Sequence, residues 1–305
     1  MHQKLYELSK EQSIHTIWLM SDLQQSDPLY AKQCLTIAMS DYHILGNPAD
    51  IICYLGDAVE SYNLKHLSEM VDMQIEAFDS LDIPLCYVTG NHDYDYANHY
   101  LEQRPCMPFY DAVRQKKNWH TTKSCDDLYF TYQLGKHTIF FLSDHISTEN
   151  QWCVTHGNIR RGNEYYPYTQ EDADRLRAEI AATPGPVITA SHYAYLGGNR
   201  GNELMSRLFP LPSNVRIHFY GHAHIGDFAW AKEDAYRRIA WTNWHDIPQI
   251  NVSSFENVRG TACRSVILHI YEDGGMGIFF RNHDKRMFTE SYFPSKENMP
   301  SLQQS

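Results

Sequence analysis

The sequence predicts an α/β fold made of two stacked β-sheets with helices on their outer faces. Two features of the chain support this prediction. In the first ninety residues, short apolar runs rich in strand-forming residues alternate with segments in which apolar residues recur every three or four positions. This βαβαβ order is typical of a buried parallel sheet. From residue 128 a hairpin and further strands follow, and beyond residue 225 most segments are strand-like.

The individual elements are predicted as follows. Strands are expected where short apolar runs occur, at residues 14–20, 49–55, 83–89, 128–134, 137–143, 186–191, 215–220, 237–241, 248–254, 264–271 and 276–280. Helices are expected where apolar residues share one helical face, at residues 29–42, 64–78 and 169–182. Gly135 and Lys136 form the predicted hairpin turn. Thr169 and Asp172 resemble a capping box that begins the third helix.

Composition narrows the class of protein. The chain has 305 residues, of which 43% are hydrophobic and 21% charged, which is typical of a globular protein, and we expect a single domain over residues 1–305. The formal charge of −11 argues against nucleic-acid binding, because phosphate backbones are held by clustered lysine and arginine. An anionic substrate would therefore need local positive charge, which a metal ion can supply.

Cysteine usage and apolar run lengths bear on the compartment. The seven cysteines are scattered singly without a CxxC pair, so neither a zinc knuckle nor a disulfide framework is indicated. No segment approaches the roughly 20 apolar residues that a membrane-spanning helix needs, and the first residues lack the apolar core of a signal peptide. We expect a cytoplasmic protein without a membrane partner, and the sequence leaves its oligomeric state open.

Three long connections are expected to shape a substrate cleft, at residues 94–125, 145–168 and 194–214. The connection 145–168 is rich in aromatic residues, which argues against disorder. A substrate-binding role and a packed surface loop or subunit contact are equally favoured for it. For Asp144, a role in a structural turn and a place at the periphery of the site are equally favoured. For Asn199 and Arg200, an exposed turn is favoured.

Polar side chains that can bind metals follow several of the predicted strands. They are Asp22 and Gln24 in MSDLQ, Asp57 in LGDAVE, Asn91, His92 and Asp93 in TGNHD, His192 in ASHY, and His222 and His224 in YGHAH. Carboxylate, amide and imidazole groups suit Mn²⁺, Zn²⁺ or iron. Since open α/β sheets place their sites at the carboxyl ends of strands, these groups are expected to converge.

The ordered series D-x-Q, G-D-x-x-E, G-N-H-D, S-H and G-H-x-H resembles the calcineurin-like metallophosphoesterase superfamily. The resemblance spans residues 16–224. It implies a four-layer α-β-β-α sandwich of two mixed sheets, and two divalent metal ions at the ends of the strands. It also implies hydrolysis of a small-molecule phosphate ester.

The resemblance further implies a role for each matched residue. Asp57 would bridge the two ions and give one oxygen to each. One ion would be held by Asp22, Gln24 and His224, and the other by Asn91, His192 and His222. His92 would act as a general acid or bind a phosphoryl oxygen, and Asp93 would fix its tautomer.

The first block departs from the superfamily, which usually has histidine where this chain has Gln24. A D-x-Q block is similar to that of the Mn-dependent ADP-ribose/CDP-alcohol diphosphatases, and an amide oxygen favours Mn²⁺, with Zn²⁺, Fe²⁺ or Mg²⁺ as alternatives. Glu60 is interpreted as a neighbour of the site or a solvated residue.

We therefore expect a dinuclear enzyme that hydrolyses a small phosphodiester or phosphoanhydride by attack of a metal-bridging hydroxide. The alternatives are a phosphomonoesterase and a non-catalytic scaffold. A nuclease is disfavoured by the net charge.

Overall fold

The computed structural model describes residues 1–25, 27–60, 65–93, 108–123, 127–143, 147–148, 151–152, 170–195, 207–226, 240–258, 260–295, 297 and 300. The helices are α1 (His2–Gln12), α2 (Pro28–Ile44), α3 (Leu67–Asp79), α4 (Pro108–Val113) and α5 (Gln170–Ala182). The first strands are β1 (Ser13–Met20), β2 (Ile51–Leu55), β3 (Leu85–Val88), β4 (Trp119–His120), β5 (Tyr129–Leu134), β6 (His137–Leu142), β7 (Ser147–Thr148) and β8 (Gln151–Trp152). The remaining strands are β9 (Val187–Ser191), β10 (Val215–Tyr220), β11 (Trp241–Trp244), β12 (Ile247–Asn251), β13 (Arg264–Tyr271), β14 (Met276–Asn282) and β15 (Met287–Tyr292).

The strands form two mixed sheets and one small hairpin. The first sheet has the order β15-β14-β13-β1-β2-β3-β4, in which β1 to β4 are parallel and β13 to β15 are antiparallel. The second sheet has the order β11-β12-β10-β9-β6-β5, and only its two edge strands run antiparallel to their neighbours. The hairpin is β7-β8. The carboxyl ends of β1, β2 and β3 lie together, as do those of β9 and β10.

Alternating side chains divide the core into layers. On β1, Trp18 and Met20 pack with helices α1 to α4 in one apolar cluster, whereas Ile17 and Leu19 face the second sheet in another. This alternation follows from the two-residue repeat of a strand. A third cluster joins α5 to the outer face of the second sheet, through Leu176 and other residues. The four-layer α-β-β-α sandwich predicted from the resemblance is confirmed.

Most predicted elements are present with small differences in their ends, and several elements were missed. α1, α4, β4 and β15 were not predicted. α1 carries mostly polar residues and buries only Leu5, Tyr6 and Ser9, so its apolar face is narrow. Tyr6 stacks on Phe288 of β15 with ring centroids 4.2 Å apart, a contact between the two ends of the chain.

Two further predictions concern regions that the structure covers in part. The predicted strand at 237–241 overlaps β11 at Trp241 only, and residues 237–239 lie outside the described residues. Among the described residues, no helix has the length and apolar character needed to cross a membrane.

Candidate metal centre

The residues predicted to bind metal are brought together where the two sheets meet. Asp22 and Gln24 follow β1, Asp57 follows β2, and Asn91 to Asp93 form a 3₁₀ turn after β3. His192 follows β9 in the other sheet, and the His222 loop follows β10. Five loops from two sheets thus converge on one crevice at the carboxyl ends of their strands.

The glycines of the motifs allow this close approach. A Cβ atom on Gly90 would lie 2.2 Å from the Asp57 Oδ1 atom, and a Cβ atom on Gly221 would lie 1.9 Å from the Ser21 hydroxyl oxygen. Both distances are far below van der Waals contact. The glycines that precede Asn91 and His222 are therefore required by space, because each lets one loop touch the next.

Three of the candidate ligands have left-handed backbone conformations. The φ angles are 60° at Asp22, 53° at Asp57 and 60° at His222. Such angles are rare for residues with a side chain and cost of order 1–3 kcal/mol each, and they cluster at functional sites. The strain is concentrated in the loops that bring these side chains into the crevice.

The first group of side chains surrounds His224. Its Nε2 atom lies 2.8 Å from the Asp22 Oδ1 atom and 3.1 Å from the Gln24 Nε2 atom. Its Nδ1 atom lies 2.6 Å from the Oε1 atom of Glu256, a residue that the sequence analysis did not identify. Glu256 stands alone in SSFENV without a spacing pattern, so only the folded contact reveals it.

The second group surrounds His192. Its Nε2 atom lies 3.1 Å from the Asp57 Oδ2 atom and 3.2 Å from the Asn91 Oδ1 atom, while its Nδ1 atom lies 2.7 Å from the backbone oxygen of Leu55. The Tyr193 hydroxyl donates to the same Asn91 oxygen at 2.9 Å. Asp57, His192 and His222 each offer a donor atom, and these atoms lie within 4.8 Å of one another, so the three can hold a metal ion.

The chemistry of these donors fits metal ions. Both His192 and His224 have Nδ1 paired with an oxygen, which directs Nε2 towards the carboxylates of the crevice, as in histidines that bind metals. The Gln24 Oε1 and Asp57 Oδ2 atoms are buried and have no hydrogen-bond partner within the described part of the chain. Buried oxygens that lack a donor are costly, and a cation would satisfy them.

The side chain that orients His92 differs from the prediction. The Nδ1 atom of His92 pairs with the Oε2 atom of Glu60 at 2.8 Å. Asp93, expected in that role, is fully buried, and its carboxylate accepts backbone N–H groups of Gly90 and of residues 57–59. The assignment of Asp93 to the His92 tautomer was wrong, because neighbouring side chains of the 3₁₀ turn point in different directions.

Asp57 is engaged in a way that also refines the prediction. Its Oδ1 atom accepts the His92 backbone N–H at 2.7 Å, whereas Oδ2 is the oxygen without a hydrogen-bond partner among the described residues. The Oδ2 atom is therefore the oxygen of Asp57 that lacks a hydrogen-bond partner in the described part of the chain and would be offered to a metal ion.

Burial and the neighbouring charges shift the protonation equilibria of the crevice. Burial disfavours a charged imidazole, but the carboxylates of Asp22 and Glu256 outweigh it and raise the pKa of His224 to about 9. Burial opposes ionisation of Asp57, yet His192 and His92 outweigh it and hold the pKa of Asp57 well below its usual range. Carboxylates thus favour the charged form of His224 and imidazoles favour the charged form of Asp57, so the two kinds of group stabilise each other's charge in the crevice.

Comparison with known proteins identifies the family. The family model described as calcineurin-like phosphoesterase matches residues 15–226, more than half of the chain. The chain belongs to this family. It is a metal-dependent phosphoesterase, and the family uses a dinuclear divalent metal centre. No curated protein matches this calcineurin-like phosphoesterase in sequence at a significant level.

Solved structures share the fold at low sequence identity. A dimetal phosphatase from Danio rerio is 12% identical with a TM-score of 0.64, and the match covers 93% of this chain and 99% of that one. A purple acid phosphatase from yellow lupin (Lupinus luteus) seeds is 10% identical with a TM-score of 0.51, covering 93% of this chain and 54% of that one. GAP50, the anchor in the inner membrane complex of Plasmodium, is 13% identical with a TM-score of 0.53, covering 92% and 88%. At these identities the likeness concerns the fold.

Several sequence predictions about the cleft lie outside the described residues. These are Asp144, Asn199, Arg200, and most of the connections at 94–125, 145–168 and 194–214. Of the first connection the structure describes 108–123, which contains α4 and β4, and of the second only the hairpin β7-β8.

Proposed function

We propose that this calcineurin-like phosphoesterase hydrolyses a small-molecule phosphodiester or phosphoanhydride and uses two divalent metal ions to do so. Mn²⁺ is the metal that we expect. Asp22, Gln24 and His224 would hold one ion, and Asn91, His192 and His222 the other. Asp57 would be shared between them. The ions would supply an activated water nucleophile and neutralise the phosphoryl charge.

One observation carries the proposal. The Asp57 Oδ2 atom is buried without a hydrogen-bond donor from any described residue, and it lies 3.1 Å from the Nε2 atom of His192. His222 offers a further donor atom within 4.8 Å. An oxygen left unsatisfied among imidazole nitrogens supports a cation site, because a structural carboxylate in the core is normally paired through its donors.

The side chains of the chain itself supply positioning and proton transfer. The His92 backbone N–H fixes Asp57 through Oδ1, and the His92 imidazole is directed by Glu60. Its Nε2 atom is then the ring nitrogen that would give a proton to the leaving oxygen or bind a phosphoryl oxygen. Asp93 holds the Asp57 loop through backbone N–H groups and supports the site without contacting the substrate.

The phosphomonoesterase alternative is favoured by two of the solved relatives, which are described as phosphatases. Their low identity leaves the choice of substrate to experiment. A non-catalytic scaffold is the third possibility, and GAP50 is described as an anchor. The Gln24 and Asp57 oxygens that lack a hydrogen-bond donor among the described residues weigh against a scaffold that no longer binds metal ions. The cytoplasmic location and the absence of a nucleic-acid partner stay predictions.

The test measures metal content and activity in the same samples. The parent protein is expected to bind two Mn²⁺ per chain, and to hydrolyse members of a panel of nucleotide-linked alcohols, glycerophosphodiesters, aryl phosphodiesters and phosphomonoesters. Asp57→Asn is expected to lose metal and most activity, because an amide cannot supply the negative oxygen. Asp50→Asn is the matched control, since Asp50 lies at the opposite end of β2 with a half-exposed side chain.

The outcomes separate the candidates. A parent that binds two ions but cleaves only monoesters supports the phosphatase alternative. A parent without metal or activity supports the scaffold. An Asp57→Asn protein as active and as metal-loaded as the parent would refute the shared role of Asp57.

A further inference from the structure

The end of β12 and the segment that follows it connect the candidate metal-binding loops of the two sheets. The Asn251 side chain donates to the backbone oxygen of Ala223, between the two histidines of the His222 loop, at 2.6 Å. The backbone N–H of Glu256 donates to the backbone oxygen of Asp22 at 3.1 Å. This segment lies beyond residue 226, where the family match ends. The tail of the chain therefore forms one wall of the centre.

Glu256 is the residue of this wall that reaches the candidate ligands. Its side chain is 2% exposed, and both carboxylate oxygens are engaged. The Oε1 atom lies 2.6 Å from the Nδ1 atom of His224, and the Oε2 atom accepts the Gln25 amide at 2.5 Å. A buried carboxylate is retained only where donors compensate its lost hydration. These two donors come from loops that carry His224 and Gln24.

We propose that Glu256 is a positioning residue for the ion held with His224. It keeps the proton of His224 on Nδ1, so that Nε2 is the atom directed at the ion, and it holds the loop of Gln24 through its neighbour Gln25. The inference rests on the proposed dinuclear function. A carboxylate behind a ligating imidazole also raises the basicity of that ligand.

The other histidine ligand is supported differently. The Nδ1 atom of His192 pairs with the backbone oxygen of Leu55, a neutral group. A charge-assisted hydrogen bond is about twice as strong as a neutral one. Loss of Glu256 should therefore weaken the binding of one ion and leave the binding of the other unchanged. General damage to the fold would weaken the binding of both ions.

The experiment is a calorimetric titration of the chelated full-length protein with Mn²⁺. Glu256→Ala is expected to bind one ion about 10- to 100-fold more weakly, as for other carboxylates that support metal ligands. The second ion should stay within about threefold of the parent. The ion that is bound more weakly should be the same one that is bound more weakly in His224→Ala.

Asp41→Asn is the matched control. Asp41 is a fully buried carboxylate that pairs with the Nδ1 atom of His283 at 2.8 Å, the same kind of contact as Glu256 with His224. It contacts Arg281 as well, and none of its hydrogen bonds within the described part of the chain involves a candidate metal ligand. Both Mn²⁺ affinities should be unchanged in this variant. That result would show that the loss of a buried carboxylate is not by itself sufficient to weaken Mn²⁺ binding.

Two results overturn the inference: unchanged affinity for both ions in a folded Glu256→Ala protein, or an equal loss for both. If circular dichroism shows that this variant does not fold, Glu256→Gln decides, because it keeps a neutral acceptor of similar volume. It should weaken binding of the same ion by a smaller factor than Glu256→Ala does, and unchanged affinities for both ions overturn the inference. A parent that binds no Mn²⁺ refutes the proposed function as well, whereas two ions in the parent confine the failure to Glu256.

Discussion

Replacement of Glu60 by glutamine tests whether His92 works as an oriented acid. The Glu60 Oε2 atom lies 2.8 Å from the Nδ1 atom of His92, and both side chains are mostly buried. Glu60→Gln keeps the shape and one acceptor but removes the negative charge. The His92 backbone contact to Asp57 is unaffected by this change, so the metal-binding residues should remain in place.

The expected loss follows from the strength of one hydrogen bond. A bond to a charged group contributes about 1.5–3 kcal/mol and a neutral one about 0.5–1.5 kcal/mol. The difference of about 1–1.5 kcal/mol corresponds to roughly a 5- to 15-fold decrease in kcat/KM. His92→Asn removes the acid itself and should cost about 10²- to 10⁴-fold. The loss should be largest on alkyl phosphodiesters and smaller on nitrophenyl esters, whose leaving group needs no proton.

The assay compares kcat/KM for one alkyl and one nitrophenyl substrate in Glu60→Gln, His92→Asn and the double variant, with metal content verified in each. If Glu60 acts through His92, the glutamine substitution should have no further effect in the His92→Asn background. Glu69→Gln is the control, because Glu69 lies 3.6 Å from His66 in an exposed pair away from the crevice. Additive losses, or equal losses on both substrates for each single variant, would refute the acid role.

Two further predictions concern metal preference and stability. Gln24→His replaces an amide oxygen donor with imidazole and should shift the preferred activator from Mn²⁺ towards Zn²⁺; an identical activation order in parent and variant would show that Gln24 is not a ligand. Burial opposes ionisation of Asp41, but hydrogen bonds from Arg281 and His283 outweigh it and lower the pKa of Asp41 from 3.8 to about 2. The ionised Asp41 should therefore contribute about 2 kcal/mol to the free energy of unfolding above about pH 4, and this contribution should be lost as the pH falls to about 2. Urea unfolding across this range should show the loss in the parent and a smaller pH dependence in Asp41→Asn.

The sequence was most informative where a strand ends in a ligand. Periodicity located β1, β2, β3, β9 and β10, and the motif spacing placed a candidate metal ligand after each. The local order of glycine and ligand reflects close contacts such as that of Gly90 with Asp57, so it is visible in the chain without the fold. The order of strands in the sheet is not visible in the chain, because β1 pairs with β13, in which Leu268 lies opposite Ile17. A pairing of residues so distant in sequence has no local pattern.

The roles of the neighbouring carboxylates could not be predicted for a related reason. Asp93 is adjacent to His92 in sequence, yet its carboxylate faces the backbone of residues 57–59. Glu60 and Glu256 lie far from their histidine partners along the chain and meet them only through loop packing. The sequence predicted a carboxylate behind His92, but the identity of that carboxylate depends on how the loops cross.

A buried cluster elsewhere in the chain has the hydrogen-bond order of a serine-histidine-aspartate triad. The Ser265 hydroxyl lies 2.7 Å from the Nε2 atom of His283, whose Nδ1 atom lies 2.8 Å from the Asp41 Oδ2 atom. The side chains are at most 1% exposed, and the Trp18 indole donates to the Ser265 oxygen at 2.8 Å. Arg281 pairs with both oxygens of Asp41. The cluster joins α2 to the first sheet.

The cluster and the candidate metal centre differ in the kind of atom that lacks a partner among the described residues, not in residue type. In the cluster it is the Arg281 Nη1 atom, an N–H donor that a cation cannot satisfy. The Ser265 oxygen already has two partners and is closed to solvent, so no substrate can reach it. In the crevice, the Gln24 Oε1 and Asp57 Oδ2 atoms are buried yet lack a donor within the described chain. A fold tolerates the free-energy cost of such buried oxygens where a bound ligand offsets it. The unsatisfied oxygens, more than the number of histidines and carboxylates, are therefore the reason that we expect this phosphoesterase to bind its ions in the crevice.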